Sequence, residues 1–290
     1  MVGFMDAKQI LSSVGGSISG LFHRKARTEA VTAPRLTSPV RFPYGPFQFK
    51  FPLPKGTHYE VQVSSNLQAW QPVSEGKASG EMVDYVDSDA SKFSYRFYRV
   101  QAEQVLSANA LGYATINAPP GYSMIANPLQ ATPNTLSAIL PNMPDGTALN
   151  KFDNSLFKLS ENSASSGRWS NPNETLSPGE GAIFFNPTSD FRNINFAGEV
   201  LQGNLLMPIA AGFSIRSSQL PRPGRIHSEL GFPIAPGDVV HLFDRDKQKY
   251  VIYDYDPKKW DSNPPIVGVG ESFWIGKTTP DNWVQNFSLQ

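Results

Sequence analysis

The sequence predicts an all-β protein, in which a small β-sandwich-like module and two tandem homologous β domains follow an N-terminal arm. Three observations predict this class: alternation of apolar and polar residues with the period of a strand, many turn-forming residues, and an internal duplication. The 290 residues include 25 Pro and 23 Gly, while charged residues make up 17%. Since Pro and Gly interrupt helices and favour turns, this composition indicates short strands.

Composition also bears on function. Because cysteine is absent, disulfides, thiolate nucleophiles and cysteine-based metal sites are excluded. The formal net charge is zero, so no overall field attracts nucleic acid, and we expect no nucleic-acid partner. No apolar run approaches the roughly eighteen residues of a membrane-spanning helix, so we expect no transmembrane segment.

Residues 1–40 are predicted to be an arm and linker. Glycines at positions 15, 16 and 20 weaken a helix here, so the segment is either a disordered terminus or a peptide that docks on a protein partner. A basic cluster at residues 23–27 follows it, and recurrent prolines then predict an extended linker. The candidate docking residues share helical spacing and are Ile10, Leu11, Val14, Ile18, Leu21 and Phe22.

The N-terminus lacks the order of a cleavable signal, because Asp6 and Lys8 precede a stretch diluted by Ser and Gly. Three explanations stay open: a leader already removed, a protein that works inside the cell, or export by a dedicated machine. The sequence therefore leaves localisation undecided.

Residues 41–106 alternate as strands do, with three phenylalanines between positions 47 and 51. Residues 59–70 end in the motif Ser-Asn-Leu-x-x-Trp, and residues 97–100 read Phe-Tyr-Arg-Val. These motifs resemble the short fibronectin-III-like modules common in bacterial surface proteins, especially those of the verrucomicrobial type. The resemblance implies a scaffold without chemistry, a core anchored by Trp70, a last strand at residues 97–100, and an extracytoplasmic or cell-surface location.

Residues 107–199 and 200–290 are predicted to be two copies of one domain. Matching segments recur 91 positions apart, and the pairs include Gly121 with Gly212, Trp169 with Trp260, Gly179-Glu180 with Gly270-Glu271, and Phe196 with Phe287. Each copy is too long for a solenoid unit, so we expect two small domains of short strands. One helical turn is expected at 135–140 and another at 225–230. The pattern resembles an uncharacterised tandem β module of predicted bacterial surface proteins, which implies no known activity.

The repeated carboxylates Glu180 and Glu271 each follow a glycine, Gly179 or Gly270, just before an apolar strand. A turn carboxylate usually accepts backbone N–H hydrogen bonds, so we interpret both as structural turn residues. The alternative is a glycoside hydrolase, which requires two carboxylates flanking one bond.

The repeated tryptophans Trp169 and Trp260 follow polar loop residues and are candidates for stacking on sugar rings, although packing in the core is the competing interpretation. The four histidines lack the spacing of metal ligands. The aspartates between Asp244 and Asp261 could supply oxygen ligands to calcium, but their spacing is not that of an EF-hand and the first copy replaces most of them, so a solvated loop is favoured and no metal and no cofactor are expected. The sequence thus favours a non-enzymatic structural, adhesion or assembly protein acting through protein contacts. A carbohydrate-binding module is the alternative, and a glycoside hydrolase is the third hypothesis.

Overall fold

The computed structural model describes residues 31–153, 156, 158–260 and 264–289, and it is an all-β structure. The six candidate docking residues of the arm, from Ile10 to Phe22, and the basic cluster at residues 23–27 lie outside the described residues. Within the described ranges, no helix is long and apolar enough to cross a membrane.

The first part of the structure is a sandwich of two antiparallel sheets. Its strands are β1 (Thr37–Arg41), β2 (Phe47–Pro52), β3 (His58–Ser64), β4 (Gln71–Lys77), β5 (Met82–Asp87), β6 (Tyr95–Ala102), β7 (Val105–Leu106) and β8 (Leu111–Ala118), with a 3-10 helix at Ser88–Lys92. One sheet has the order β1-β2-β5, and the other contains β4-β3-β6-β8, with β7 paired to β6. Phe47, Phe49 and Phe51 are buried between the sheets, because alternate strand residues point to the same face.

The sandwich and the first repeat share strand β8, so the predicted boundary at residues 106–107 is not a break in the structure. Tyr98 pairs with Leu111 across β6 and β8, and the other edge of β8 pairs along its whole length with β14 (Arg192–Glu199). Tyr113 of β8 is buried in the sandwich core, whereas Ile116 is buried in the core of the first repeat. The first strand of the sandwich, β1, begins at Thr37, four residues before the predicted start of the module at residue 41.

The two repeats have corresponding strands. The first contains β9 (Gly121–Ile125), α1 (Leu136–Ile139), β10 (Ala148–Asp153), β11 (Lys158–Ser165), β12 (Arg168–Trp169) and β13 (Ala182–Asn186), closed by β14. The second contains β15 (Gly203–Ile209), β16 (Gly212–Arg216), β17 (Gly224–Arg225), β18 (Val239–Asp244), β19 (Lys249–Asp254), α2 (Pro257–Trp260), β20 (Ile266–Val267), β21 (Phe273–Lys277) and β22 (Asp281–Phe287). Their sheets have the orders β12-β11-β10-β13-β9 and β19-β18-β21-β16.

The pairing registers of these sheets repeat with the offset of 91 positions seen in the sequence. Gly121 pairs with Asn186 in the first copy, and Gly212 pairs with Lys277 in the second. The helical turn at residues 135–140 is the helix α1, while residues 225–230 form a turn in which the amide of Glu229 donates to the carbonyl of Arg225.

The last strand departs from the constant offset, and the expected equivalence of Phe196 and Phe287 is wrong. In the first copy Phe196 pairs with Ala114. The residue 91 positions after Ala114 is Leu205, and it pairs with Gln285 and not with Phe287. The loop before the last strand spans residues 187–191 in the first copy and 278–280 in the second, so it is two residues shorter there. The shortened loop therefore shifts the register of β22.

Candidate functional site

Trp169 and Trp260 are buried, which corrects their assignment as exposed sugar-stacking residues. Their exposed fractions are 5% and 6%. The Nε1 of Trp169 donates to the carbonyl of Leu140 at 2.8 Å, and that of Trp260 donates to the carbonyl of Asp254 at 2.9 Å. A buried indole needs such an acceptor, and here it also packs in the core of its own repeat. Neither ring has a free face for a sugar.

The repeated turns have the capping geometry that their sequence predicts. The Oε2 of Glu180 accepts from the amide of Ser177 at 2.6 Å, and the Oε2 of Glu271 accepts from the amide of Gly268 at 2.8 Å. The Oε1 atoms form ion pairs with Lys151 and Arg245 respectively, each at 3.0 Å. Both oxygens of each carboxylate are therefore engaged within the same repeat.

Gly179 and Gly270 adopt φ angles of 96° and 79°, in the left-handed region that glycine tolerates best. This backbone presents the carbonyl of each glycine to the other repeat. The amide of Ala126 donates to the carbonyl of Gly270 at 2.7 Å, and the amide of Ser217 donates to the carbonyl of Gly179 at 3.0 Å. Since Ala126 and Ser217 are themselves 91 positions apart, the two contacts are reciprocal.

The reciprocal contacts place the repeats about a local two-fold axis, as in an isologous dimer. Further pairs follow the same rule: a β-bridge joins Ile125 to Glu271, and another joins Glu180 to Arg216. The sequence shows the duplicated glycines, but a constant offset carries no information about how two copies face each other. Sequence reasoning therefore misses that the glycine turns also join the two repeats to each other.

A cleft of about 320 Å³ opens where the outer faces of the two repeat sheets meet. Its side chains are aromatic or aliphatic with one amide: Tyr122, Met124, Asn150, Leu159 and Ile183 from the first repeat, and Phe243 and Tyr250 from the second. Gln248 joins the repeats here, because its Oε1 accepts from the amide of Tyr122 and its Nε2 donates to the carbonyl of the same residue, each at 2.8 Å. The lining offers apolar contact and a few hydrogen bonds.

The surface beside the cleft is also apolar. Tyr122, Leu159 and Tyr250 are 48%, 46% and 42% exposed, and Ile252, which shares a strand face with Tyr250, is 59% exposed. The sequence marks these positions as ordinary strand residues, because alternation predicts burial on one face and cannot show that a strand lies at an edge.

Among the residues that the structure describes, no cluster of three His, Asp or Glu side chains could hold a metal ion.

Trp70 is half-buried beneath the guanidinium of Arg99, whose carbon lies 4.7 Å from the ring centroid, and it packs at the margin of a cluster shared with the repeats. The resemblance implies that Trp70 anchors the sandwich core, but its ring lies outside the centre of that core.

No protein-family model matches this chain, and no curated protein matches it.

Proposed function

We propose that the chain is a non-enzymatic structural or assembly protein that acts through protein–protein contacts. The observation that carries the proposal is the exposed apolar surface around the cleft, which includes Tyr122, Leu159, Tyr250 and Ile252. Contiguous apolar surface on a folded protein is the usual sign of an interaction site, and aromatic residues are enriched at the core of protein interfaces.

The chemistry of the cleft supports binding over catalysis. Its lining contains tyrosine hydroxyls and the amide of Asn150 as polar groups. The carboxylates that a hydrolase would need, Glu180 and Glu271, are each held by a backbone amide and a cation. The carbohydrate-binding alternative loses its two candidate residues, since Trp169 and Trp260 are buried.

The proposal includes a fibronectin-III-like scaffold at the cell surface. The sandwich at the start of the described chain supports this part, because two packed antiparallel sheets are the architecture of such modules. The shared strand β8 ties the sandwich to the repeats, so the apolar surface is carried on a continuous framework.

The experiment is to size the full chain in a native extract and to compare it with a variant of the cleft. The double variant Tyr122→Ser, Leu159→Ser removes exposed apolar area from both the strand β9 and the strand β11. Phe191→Ser is the matched control, because Phe191 is 59% exposed on a loop of the same repeat. We expect the wild type and the control to elute in a large complex and the double variant to elute nearer to the monomer.

Elution of the wild-type chain as a monomer in the native extract would contradict the assembly proposal. Binding of the purified chain to a glycan array, lost in the same double variant, would instead favour the carbohydrate-binding alternative.

A further inference from the structure

The cleft between the repeats has a counterpart in the same chain, because each of its residues recurs 91 positions away. Ile183 of β13 lines the cleft and pairs with Asn150 of β10. Trp274 of β21 stands 91 positions after Ile183, and it pairs with His241, which stands 91 positions after Asn150. One backbone position therefore carries an aliphatic side chain in the first repeat and an indole in the second.

The indole of Trp274 packs against the counterparts of the cleft walls. It meets Phe152 of the first repeat edge-on, with the ring centroids 4.8 Å apart, and its centroid lies 6.5 Å from that of Phe213. Its Nε1 donates to the hydroxyl of Tyr250 at 3.2 Å. The residues that correspond to these three neighbours all line the cleft, and they are Phe243, Tyr122 and Leu159.

The cleft is therefore the place where the first repeat lacks a ring. Ile183 has no planar group to reach between the walls, and a space of about 320 Å³ is left there. An apolar cavity of about 150 Å³ is enough to hold benzene, and ligand pockets begin at about 300 Å³. The space thus fits one ring system with its attachment, and it is too small for an extended ligand.

The lining selects a neutral ring. Among the described residues that line the cleft, none is charged, and transfer of an ionised group to such a surface is costly. Tyr122 and Phe243 offer aromatic contacts, and the thioether of Met124 suits the same kind of partner. The amide of Asn150 can donate or accept one hydrogen bond. These groups match a ring with one polar edge, such as an indole or a phenol.

We infer that the cleft binds the side chain of a tryptophan or tyrosine from another protein. The inference rests on the proposed assembly function and names the group that the partner inserts. The cleft continues the contact between the repeats, where Gln248 bonds to both backbone groups of Tyr122. The exposed Leu159 and Tyr250 border it, so a partner protein would cover a surface that a free compound leaves in water. A ring buried inside such a rim is the usual anchor of a protein interface.

Two substitutions should block the cleft. Ile183→Trp installs the ring that the second repeat has at Trp274, and that ring should fill the space from within. Leu159→Trp adds a ring at the border, where Leu159 is 46% exposed, so this variant leaves the core untouched. Ile183→Val is the matched control, because it keeps a small aliphatic side chain and an open cleft. Thermal melting of each full chain checks that it is folded.

The binding test uses N-acetyl-tryptophanamide, a neutral probe that carries an indole. We expect it to shift the methyl NMR signal of Met124 saturably, because the ring current of a bound indole acts on this wall of the cleft. The apparent Kd should rise by about tenfold or more in Ile183→Trp and Leu159→Trp, and it should be unchanged in Ile183→Val. N-acetyl-leucinamide, which lacks a ring, should cause no saturable shift.

Three results of this titration would overturn the ring site. They are a wild-type chain without a saturable shift, blocking variants that bind the probe as tightly as the wild type, and a leucine probe that binds as tightly as the tryptophan probe.

Failure of the inserted ring is distinguishable from failure of the assembly function. An Ile183→Trp chain that still elutes in the wild-type complex of the native extract overturns the insertion, while assembly through another surface stands. A wild-type chain that binds the probe but elutes as a monomer overturns assembly and the partner, and it assigns the cleft to a free aromatic compound. A dimer of the purified chain that Ile183→Trp dissociates overturns a different protein as the source and identifies a second copy.

Discussion

At the scale of single residues, the second repeat contains a buried ion pair where the first has neutral side chains. Lys277 Nζ lies 2.5 Å from Asp238 Oδ2, and both side chains are fully buried. Burial raises the pKa of Asp238. The hydrogen bonds from Lys277, Thr278 and Ala235 together lower it by more than burial raises it, so the pKa of Asp238 lies below its ordinary value. Thr147 and Asn186 stand 91 positions before these two residues.

Asp238→Asn should lower the free energy of unfolding by about 3–5 kcal/mol, because it leaves the ammonium of Lys277 buried without its counter-charge. The double variant Asp238→Thr, Lys277→Asn installs the neutral pair of the first repeat and should lose less. Urea denaturation of the full chain measures both. A single variant as stable as the double variant would contradict a paired charge at this position.

His241 should make stability depend on pH. Its ring packs edge-on against Phe213 and Tyr250, and burial lowers the pKa of His241 below 6.5, although Asp254 opposes this. A depressed folded-state pKa gives stability that is present above pH 6.5 and is lost as the pH falls through the folded value. Melting temperatures should therefore fall on acidification from pH 6.5, and His241→Phe should reduce that fall. An unchanged pH profile in the variant would be evidence against this role.

At the scale of elements, the two glycine turns hold the repeats together. A Cβ on Gly270 would meet Ile116 at 2.7 Å, and a Cβ on Gly179 would meet Met207 at 3.0 Å. Ile116 and Met207 are 91 positions apart, so these close approaches are reciprocal as well. Each turn thus packs against the shared or first strand of the other repeat.

Gly270→Ala should destabilise the chain by about 1–3 kcal/mol, since alanine is strained at positive φ and its methyl group also lacks room. Gly203→Ala is the matched control, because Gly203 has a φ of 95° with no atom within 4 Å of its would-be Cβ. Thermal or urea unfolding should show a larger loss at Gly270. Equal losses would mean that strain alone acts and that the contact between repeats adds nothing.

The turn carboxylates give a second prediction for these elements. Glu180→Ala and Glu271→Ala should each lower stability by about 0.5–2 kcal/mol, because an amide of the turn loses its acceptor. The corresponding Gln variants should lose less, since an amide oxygen can still accept the hydrogen bond. Chemical denaturation compares the four proteins, and an Ala variant as stable as the wild type would contradict the capping role.

At the scale of the whole described chain, the residues from Val31 onward form one compact unit, because neighbouring parts share structure. Strand β8 contributes to the sandwich sheet and to the first repeat, and the reciprocal turns join the repeats. Separable modules linked by flexible chain would lack both connections.

A single calorimetric unfolding transition is therefore expected for the full chain. Removal of the sandwich at residue 107 should destabilise the remaining repeats, because it uncovers the edge of β8 that pairs with β6 and exposes Tyr113, which is buried in the sandwich core. Two well-resolved transitions, or a truncated protein as stable as the full chain, would show that the parts are independent.

The sequence by itself determined the all-β class, the duplication and the capping turns, because strand alternation, a constant offset and a glycine followed by glutamate are all local or repeated patterns. The tertiary structure alone decided that β8 is shared, that Trp169 and Trp260 are buried, and that the repeats face each other about a two-fold axis. These features depend on which strands become neighbours. Pairing between distant strands is set by the packing of the whole chain, and a pattern along one segment does not contain it.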